Sequence, residues 1–212
     1  MKLKNGVRNI IITGDWNLPL LSPKWLNDNI FDGTLPEKVK MSFNVENILI
    51  SVKRIETPKI DIEISPQRIC FIPKKQDTEH FDFLIDKIIA LLSKLPHTPV
   101  HVLGINFIFT SKDYIWFENL INVKATEVLD NYENTYTQIV YQLSLEKPKE
   151  GILNLKIDYN KKTELLTANF NYSFNTKEIS DIKEILQTGI LDEMKDRSNK
   201  VIELLQGKDK DE

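Results

Sequence analysis

Hydrophobic and polar residues alternate along much of this chain, which is the pattern of β-strands with one face in a core. The alternation is clearest in the second half, where three such segments are separated by short polar breaks and predict an antiparallel meander. Near Glu46-Asn47 the alternation slips by one position, which predicts a β-bulge or a tight turn. The predicted strands cover residues 9–13, 39–45, 48–52, 60–64, 69–72, 100–109, 139–145, 153–159 and 166–174.

Other segments have the spacing or the capping residues of helices. Ser22-Pro23 predicts the start of a short helix, because Ser is a good N-cap and Pro is tolerated in the first turn. Asp77 opens a longer amphipathic helix, which Pro96 ends. Asn175–Glu178 has the form of a capping box before a terminal helix. The apolar stripe of that helix continues past a break that we predict at Gly189.

The segment Leu95–Phe109 joins the first long helix to a strand that is apolar on both faces. Pro99 forces the preceding residue to be extended and sets the turn. Two apolar faces predict a central strand that is covered on both sides. Asn106 on this strand is predicted to be a structural hydrogen-bond hub, because a buried carboxamide needs partners; a ligand contact is the alternative. Gly104 is predicted to allow close packing of a neighbouring segment.

These elements predict an α+β fold with a mostly antiparallel sheet, two successive β-β-β-α halves and a long C-terminal helix. No long Gly/Ser-rich linker divides the chain. We therefore expect a single α+β domain over residues 1–206, with sub-halves 1–123 and 124–206, and a disordered tail over 207–212. Whether the halves are a structural duplication stays open at this point.

Composition excludes little. The 212 residues are 41% hydrophobic and 28% charged, with a net charge of −3, so global electrostatics give no reason to bind nucleic acid or anionic membranes. The N-terminal apolar run is too short for a signal peptide, and no run is long enough to span a membrane. The single cysteine, Cys70, lies in an apolar strand and is interpreted as a core residue rather than a nucleophile. We expect a cytoplasmic protein.

The sequence offers no cofactor or metal motif. His80, His97 and His101 are too few and too poorly spaced for a structural zinc site, and the seven glycines are scattered singly rather than clustered around a phosphate. We therefore predict no cofactor and no metal.

Two acidic residues are the only enzymatic candidates. Asp61 and Glu63 lie on one face of a predicted strand and could belong to a metal-dependent hydrolase or nuclease without a familiar motif. The nuclease-like Glu-x-Lys occurs only at Glu193–Lys195, inside the terminal helix. The polar face of an edge strand is the favoured interpretation of Asp61 and Glu63.

Two groups of residues are candidate interaction sites. Trp16, Trp25 and Trp116 are of a type enriched at protein interfaces, although a satellite core is the favoured interpretation of the cluster around the first two. The second group belongs to the apolar stripe of the terminal helix, which could pack on another subunit. Its members are Leu191, Met194 and Leu205.

Residues 95–109, with the pattern Leu-Pro-x-Thr-Pro-Val followed by Gly-Ile-Asn-Phe, resemble a segment of uncharacterised bacterial proteins of about this length. The N-terminal strand that ends in Gly14-Asp15-Trp16 is a second shared feature. The resemblance covers the first half of the chain and includes no catalytic residue. It implies a bacterial α+β domain without an assigned activity.

The sequence therefore favours a non-enzymatic protein-interaction or assembly subunit of a bacterial cytoplasmic system, with a protein partner or a homo-oligomer as its natural state. Two alternatives remain open at this stage. One is the metal-dependent hydrolase or nuclease that would use Asp61 and Glu63, and the other is an accessory component of a phage-defence operon.

Overall fold

The structure is a computed structural model that describes residues 2–3, 9–35, 40–43, 53–75, 77–117, 136–146, 150–187 and 189–206, with residues 2–3, 40–43 and 136 described by their backbone alone. The strands are β1 (Lys2–Leu3), β2 (Asn9–Gly14), β3 (Lys40–Phe43), β4 (Lys53–Glu56), β5 (Ile60–Ser65), β6 (Arg68–Pro73), β7 (Val100–Ser111), β8 (Tyr136–Leu145), β9 (Gly151–Asn160) and β10 (Leu165–Asn175). The helices are α1 (Pro23–Asn29), α2 (Thr78–Lys94), α3 (Ile179–Gln187) and α4 (Ile190–Leu205).

The ten strands form one sheet in the order β3-β4-β5-β6-β2-β7-β10-β9-β8, and β1 pairs with the far end of β7. Every pairing is antiparallel. The expected α+β class with an antiparallel sheet and a C-terminal helix is therefore confirmed. Because β7 pairs with both β2 and β10, the sheet is continuous across the expected boundary between residues 123 and 124.

The two faces of the sheet differ in burial, as period-two strands require. One face, which we call the inner face, has side chains that are almost fully buried, such as Ile12, Ile105 and Tyr172. The opposite face, which we call the outer face, is mostly half-buried and includes Thr13 and Asn171. The inner face therefore contains the core.

The helices pack over the inner face. α2 contacts β6, α4 contacts β7, and α3 contacts both α2 and α4. Tyr172 joins the inner face to α4: its hydroxyl lies 2.9 Å from the Ser198 hydroxyl and donates to the Met194 carbonyl oxygen at 3.2 Å. Burial raises the pKa of Tyr172, so this hydroxyl keeps its proton and remains a donor.

The helix starts follow the sequence in two cases and depart from it in a third. Ser22 accepts a hydrogen bond from the Trp25 N–H, and Asp77 accepts one from the His80 N–H, so both predicted N-caps are confirmed. The start of α3 is different, because the Asp181 carboxylate accepts from the N–H groups of residues 177 and 178. The predicted break at Gly189 is confirmed: its φ is +70° and it separates α3 from α4.

The strands predicted at 60–64 and 69–72 pair as the hairpin of β5 and β6, and the predicted meander is confirmed as β8, β9 and β10. Strand β4 begins one residue after the predicted strand 48–52, which lies outside the described residues together with the predicted slip at 46–47. The tail 207–212 also lies outside them, and residues 115–117 are helical.

The prediction that β7 is covered on both faces holds fully for its inner face only. Its inner-face residues Leu103, Ile105 and Phe107 have no exposed surface, whereas Val102 and Ile108 on the outer face are half-buried. The helices account for this difference, because they pack against the inner face.

Candidate interaction surface

The last strand of the sheet order, β8, has an edge that no other described strand pairs. Its ten residues from Tyr136 to Leu145 pair with β9 on one side only. In an antiparallel strand, every second residue directs its N–H and C=O to the same side. The side of β8 away from β9, which we call the β8 edge, therefore presents a row of main-chain donors and acceptors.

The β8 edge is also apolar. Val140 is 58% exposed on the outer face, while Tyr141 and Leu143 are 42% and 49% exposed on the inner face. The corresponding inner-face residues of β9, Leu155 and Leu153, are 4% and 3% exposed. The large exposure on β8 therefore arises because nothing in the described part of the chain lies beyond this strand.

Sheet edges in monomeric proteins are usually protected by Lys, Pro, a bulge or an inward-pointing charge. None of these residue types occurs between Tyr136 and Leu145, and the β8–β9 register is regular throughout. By contrast, β4 near the other end of the sheet contains Lys53, Arg54 and Glu56. The β8 edge is thus a long, flat template for another strand.

A row of five carboxamides crosses the outer face from β8 to β2, and we call it the amide row. In each step an amide nitrogen donates to the carboxamide oxygen on the next strand. The donors and acceptors are Gln142 to Asn154 (3.2 Å), Asn154 to Asn171 (3.3 Å), Asn171 to Asn106 (2.5 Å) and Asn106 to Asn9 (2.7 Å). Each internal member uses a donor and an acceptor, so the row links five strands through side chains alone.

Asn106 is the most buried member of the amide row, with 8% exposure. It donates to Asn9 and accepts from Asn171, which are the contacts that a structural hub needs. We keep the hub as a prediction, since only a substitution tests it.

Pro99 and Gly104, on the same segment, were also expected to have structural roles. The carbonyl oxygen of Pro99 accepts a hydrogen bond from the Asp15 N–H at 3.0 Å. A Cβ on Gly104 would meet its nearest neighbour, Ile11, at 3.7 Å, which is an ordinary van der Waals distance. Close packing at Gly104 is therefore not what the structure requires. Gly14, by contrast, needs to lack a side chain, because a Cβ there would overlap the carbonyl oxygen of Pro99.

The three tryptophans do not form one surface. Trp16 is 5% exposed and its indole N–H donates to the Ile12 carbonyl oxygen at 3.3 Å, so it belongs to the core. Trp25 and Trp116 are half-buried and pack against the same core, and the Trp116 ring meets Phe117 edge-on at 6.0 Å. The satellite-core interpretation therefore describes Trp16 better than a partner site does.

The apolar stripe of the terminal helix is covered by this chain itself. Leu191 and Met194 are 4% and 0% exposed, and Leu205 packs partly buried against the core. The expected packing of this stripe on a second subunit is wrong for Leu191 and Met194, because this chain itself already buries both side chains. Leu204, which the sequence did not single out, is the one large apolar side chain of α4 that is strongly exposed, at 60%.

Asp61 and Glu63 lie on the outer face and are paired with basic residues. The Arg54 guanidinium contacts the Asp61 carboxylate at 2.7 Å and the Glu63 carboxylate at 3.3 Å, and the Lys74 ammonium contacts Asp61 at 2.5 Å. The hydrogen bond to Asp61 raises the pKa of Arg54. Both carboxylates are thus paired with cationic side chains of this chain, so the geometry favours their structural interpretation.

The remaining titratable candidates lie apart. His101 is 3.8 Å from Asp15 at an exposed position, while His80 is buried against the Asp77 cap. Cys70 is buried, and burial raises the pKa of its thiol to about 12. Within the described ranges, no group of three or more His, Cys, Asp or Glu side chains could hold a metal ion.

A crevice of about 290 Å³ lies between α2 and the junction of α3 with α4. Phe81, Ile85 and Leu186 form its apolar wall, and Asp192 and Lys195 lie at its rim. This volume is just below the range of ordinary ligand pockets. We assign no ligand to it.

The fold and the β8 edge define a class of α+β protein with one antiparallel sheet, helices over one face and an edge strand that no other described strand pairs. The chain matches no known protein-family model and no curated protein. In the described residues, no helix is long and apolar enough to cross a membrane.

Proposed function

We propose that this chain is a non-enzymatic interaction or assembly subunit and that the β8 edge is its interaction surface. The observation that carries the proposal is the exposure of Val140, Tyr141 and Leu143 on a ten-residue edge strand without a charge, a proline or a bulge. A partner strand would pair with the main-chain groups that β8 directs away from β9 and would cover these side chains at the same time.

The energetics favour such pairing. Fully burying a Val or Leu side chain is worth roughly 1.5–3 kcal/mol, so covering the exposed half of each contributes roughly 1 kcal/mol. Each new main-chain hydrogen bond adds about 0.5–1.5 kcal/mol. A strand of matching length can therefore offset the entropy of association, which a single surface side chain cannot do.

A labelled synthetic peptide that copies residues 136–145 tests whether the β8 edge accepts a strand. Fluorescence anisotropy should show saturable binding of this peptide and weaker binding of a scrambled peptide of the same composition. Val140→Lys should weaken binding at least about tenfold, because the edge then has a charge of the kind that protects natural edges.

Leu204→Lys is the matched control, since Leu204 is equally exposed but lies on α4. It should leave peptide binding unchanged. Equal binding of the copied and scrambled peptides, or equal weakening by the two lysine variants, would remove the β8 edge as the interaction surface.

We further propose a bacterial cytoplasmic setting. Its support is the single free cysteine, Cys70, which is buried and fits a reducing compartment. Gene neighbourhood is the observation that tests whether the system is a phage-defence operon.

We also propose that the two halves are a structural duplication. In support, β2 pairs with the last strand of the β3–β6 meander, which precedes α2, and β7 pairs with the last strand of the β8–β10 meander, which precedes α3. An experimental structure tests this proposal: β2, β6 and α2 should superpose as a unit on β7, β10 and α3.

A further inference from the structure

We infer that the partner of the β8 edge is a second copy of this chain, with the two β8 strands antiparallel about a two-fold axis at Tyr141. This inference rests on the proposed function and names its partner. Four features of β8 support it: exposure on both faces, absence of charge, a matching register and a regular ladder.

The exposure on both faces indicates an occupant that lies in the plane of the sheet. Val140 projects from the outer face, whereas Tyr141 and Leu143 project from the inner face. A helix laid on either face would cover only one of these sets. A strand that is itself apolar on both faces covers both, and β8 is such a strand.

The charge pattern favours a copy of the same strand. The segment from Tyr136 to Leu145 contains no charged residue, although 28% of the whole chain is charged. Like charges that lie opposite each other on paired strands are destabilising, and a strand without charge avoids this in any self-pairing. A partner strand with charges would find no opposite charge on β8.

The register follows from the pattern of faces. Residues that lie opposite each other in an antiparallel pair have side chains on the same face. With the axis at Tyr141, Ile139 lies opposite Leu143 of the second copy, and Tyr141 lies opposite itself. On the outer face, Val140 then lies opposite Gln142 of the second copy. The three inner-face apolar residues therefore cover one another.

Other registers match less well. An axis at Val140 would place Leu143 opposite Thr137, which covers less apolar surface. A register offset by one residue would require the second sheet to be turned over, because a shift of one residue exchanges the faces, and no two-fold axis relates two sheets in that arrangement. The axis at Tyr141 keeps the helices of both copies on the same side and pairs residues 138–144 with the same segment of the second copy.

Light scattering after size exclusion, over a range of concentrations, is the first test. The native chain should reach twice the 24.7 kDa of one chain. Tyr141→Lys should shift the dimer to monomer, because the two lysines would lie opposite each other. Leu204→Lys should leave the dimer unchanged.

Single cysteines give the register. Tyr141→Cys should form a disulfide-linked dimer under copper-phenanthroline oxidation, because Cα atoms on paired strands lie within disulfide distance. Val140→Cys reports the neighbouring register, and Leu204→Cys reports random collisions. The native Cys70 does not interfere, since it is buried and the pKa of its thiol is about 12.

The outcomes separate this inference from the proposed function. The inference is supported if Tyr141→Cys gives a larger cross-linked fraction than Val140→Cys and Leu204→Cys, and if Tyr141→Lys dissociates the dimer. A native chain that stays monomeric while the β8 edge still binds the copied peptide overturns the second copy and leaves the proposed function standing. A dimer that Tyr141→Lys does not weaken uses another surface and overturns the inference. A monomer that binds no peptide overturns both.

Discussion

Replacing Asn106 with alanine would break the amide row at its most buried member. The substitution removes the hydrogen bond that Asn106 donates to Asn9 and the one that it accepts from Asn171. It also leaves an oxygen of Asn9 and an amide nitrogen of Asn171 without these partners. Both neighbours are half-buried, so water reaches them only in part.

The expected cost follows from these two contacts. A net hydrogen bond is worth about 1 kcal/mol, and a buried group left without a partner costs about 1–3 kcal/mol. Because Asn9 and Asn171 keep some access to water, the lower end applies to each. We therefore expect Asn106→Ala to lower the free energy of unfolding by about 2–3 kcal/mol.

Gln142→Ala is the matched control at the exposed end of the same row. It removes one hydrogen bond, of 3.2 Å, to Asn154, and in the monomeric chain, at concentrations below those of the proposed dimer, water replaces this bond on both sides. We expect a change in the free energy of unfolding of less than about 0.5 kcal/mol. Asn106→Ala removes two hydrogen bonds at a buried position and Gln142→Ala removes one at an exposed position, so the difference between the two variants measures the second bond together with burial.

Urea unfolding followed by circular dichroism measures both variants at one pH and protein concentration. Native-like spectra before unfolding would show that Asn106→Ala still folds. The double variant with Asn9→Ala adds a coupling energy, which should be about 1 kcal/mol if the two side chains are bonded in solution. Equal free energies for Asn106→Ala and Gln142→Ala, with no coupling to Asn9, would refute the hub and leave the ligand-contact alternative for Asn106.

Two further predictions concern the backbone and acid stability. Gly14→Ala should clearly lower the urea concentration at the unfolding midpoint, because the new Cβ would overlap the Pro99 carbonyl oxygen. Gly104→Ala should have a midpoint close to that of the native chain, because its Cβ would have ordinary contacts. A larger loss for Gly104→Ala than for Gly14→Ala would contradict the packing around β7. The backbone N–H and then the ring of His80 lower the pKa of Asp77, so its contribution to stability is present above about pH 4 and is lost as the pH falls through the lowered value. Asp77→Asn keeps a good N-cap but does not titrate. The urea midpoint of the native chain should therefore exceed that of Asp77→Asn by less at pH 2 than at pH 6. A difference in midpoint that stays constant between these pH values would refute this pH dependence.

The local elements could be predicted from the sequence because their signals are local. Strand alternation depends on residues two apart, and the caps at Ser22 and Asp77 depend on a side chain that bonds to a backbone N–H three residues later. The break at Gly189 needs only one residue that adopts a positive φ without strain. These features do not depend on where the rest of the chain lies.

Burial and pairing could not be predicted in the same way, because they depend on residues far apart in sequence. Asn9 and Asn106 are 97 positions apart and meet only because β2 and β7 are neighbours in that register. Trp16 and Met194 carry the residue types of a surface site, yet the fold places both in the core.

The sequence by itself determined the β8 strand, with its alternation and its lack of charge, since these are properties of consecutive residues. Only the tertiary structure decided that this strand is the last in the described sheet, because strand order depends on which segments pair across the whole chain. The same alternation makes Leu153 on β9 a core residue and Leu143 on β8 an exposed one, at 3% and 49% exposure. The physical reason is that a strand between two neighbours is covered along both edges, whereas an edge strand is covered along one.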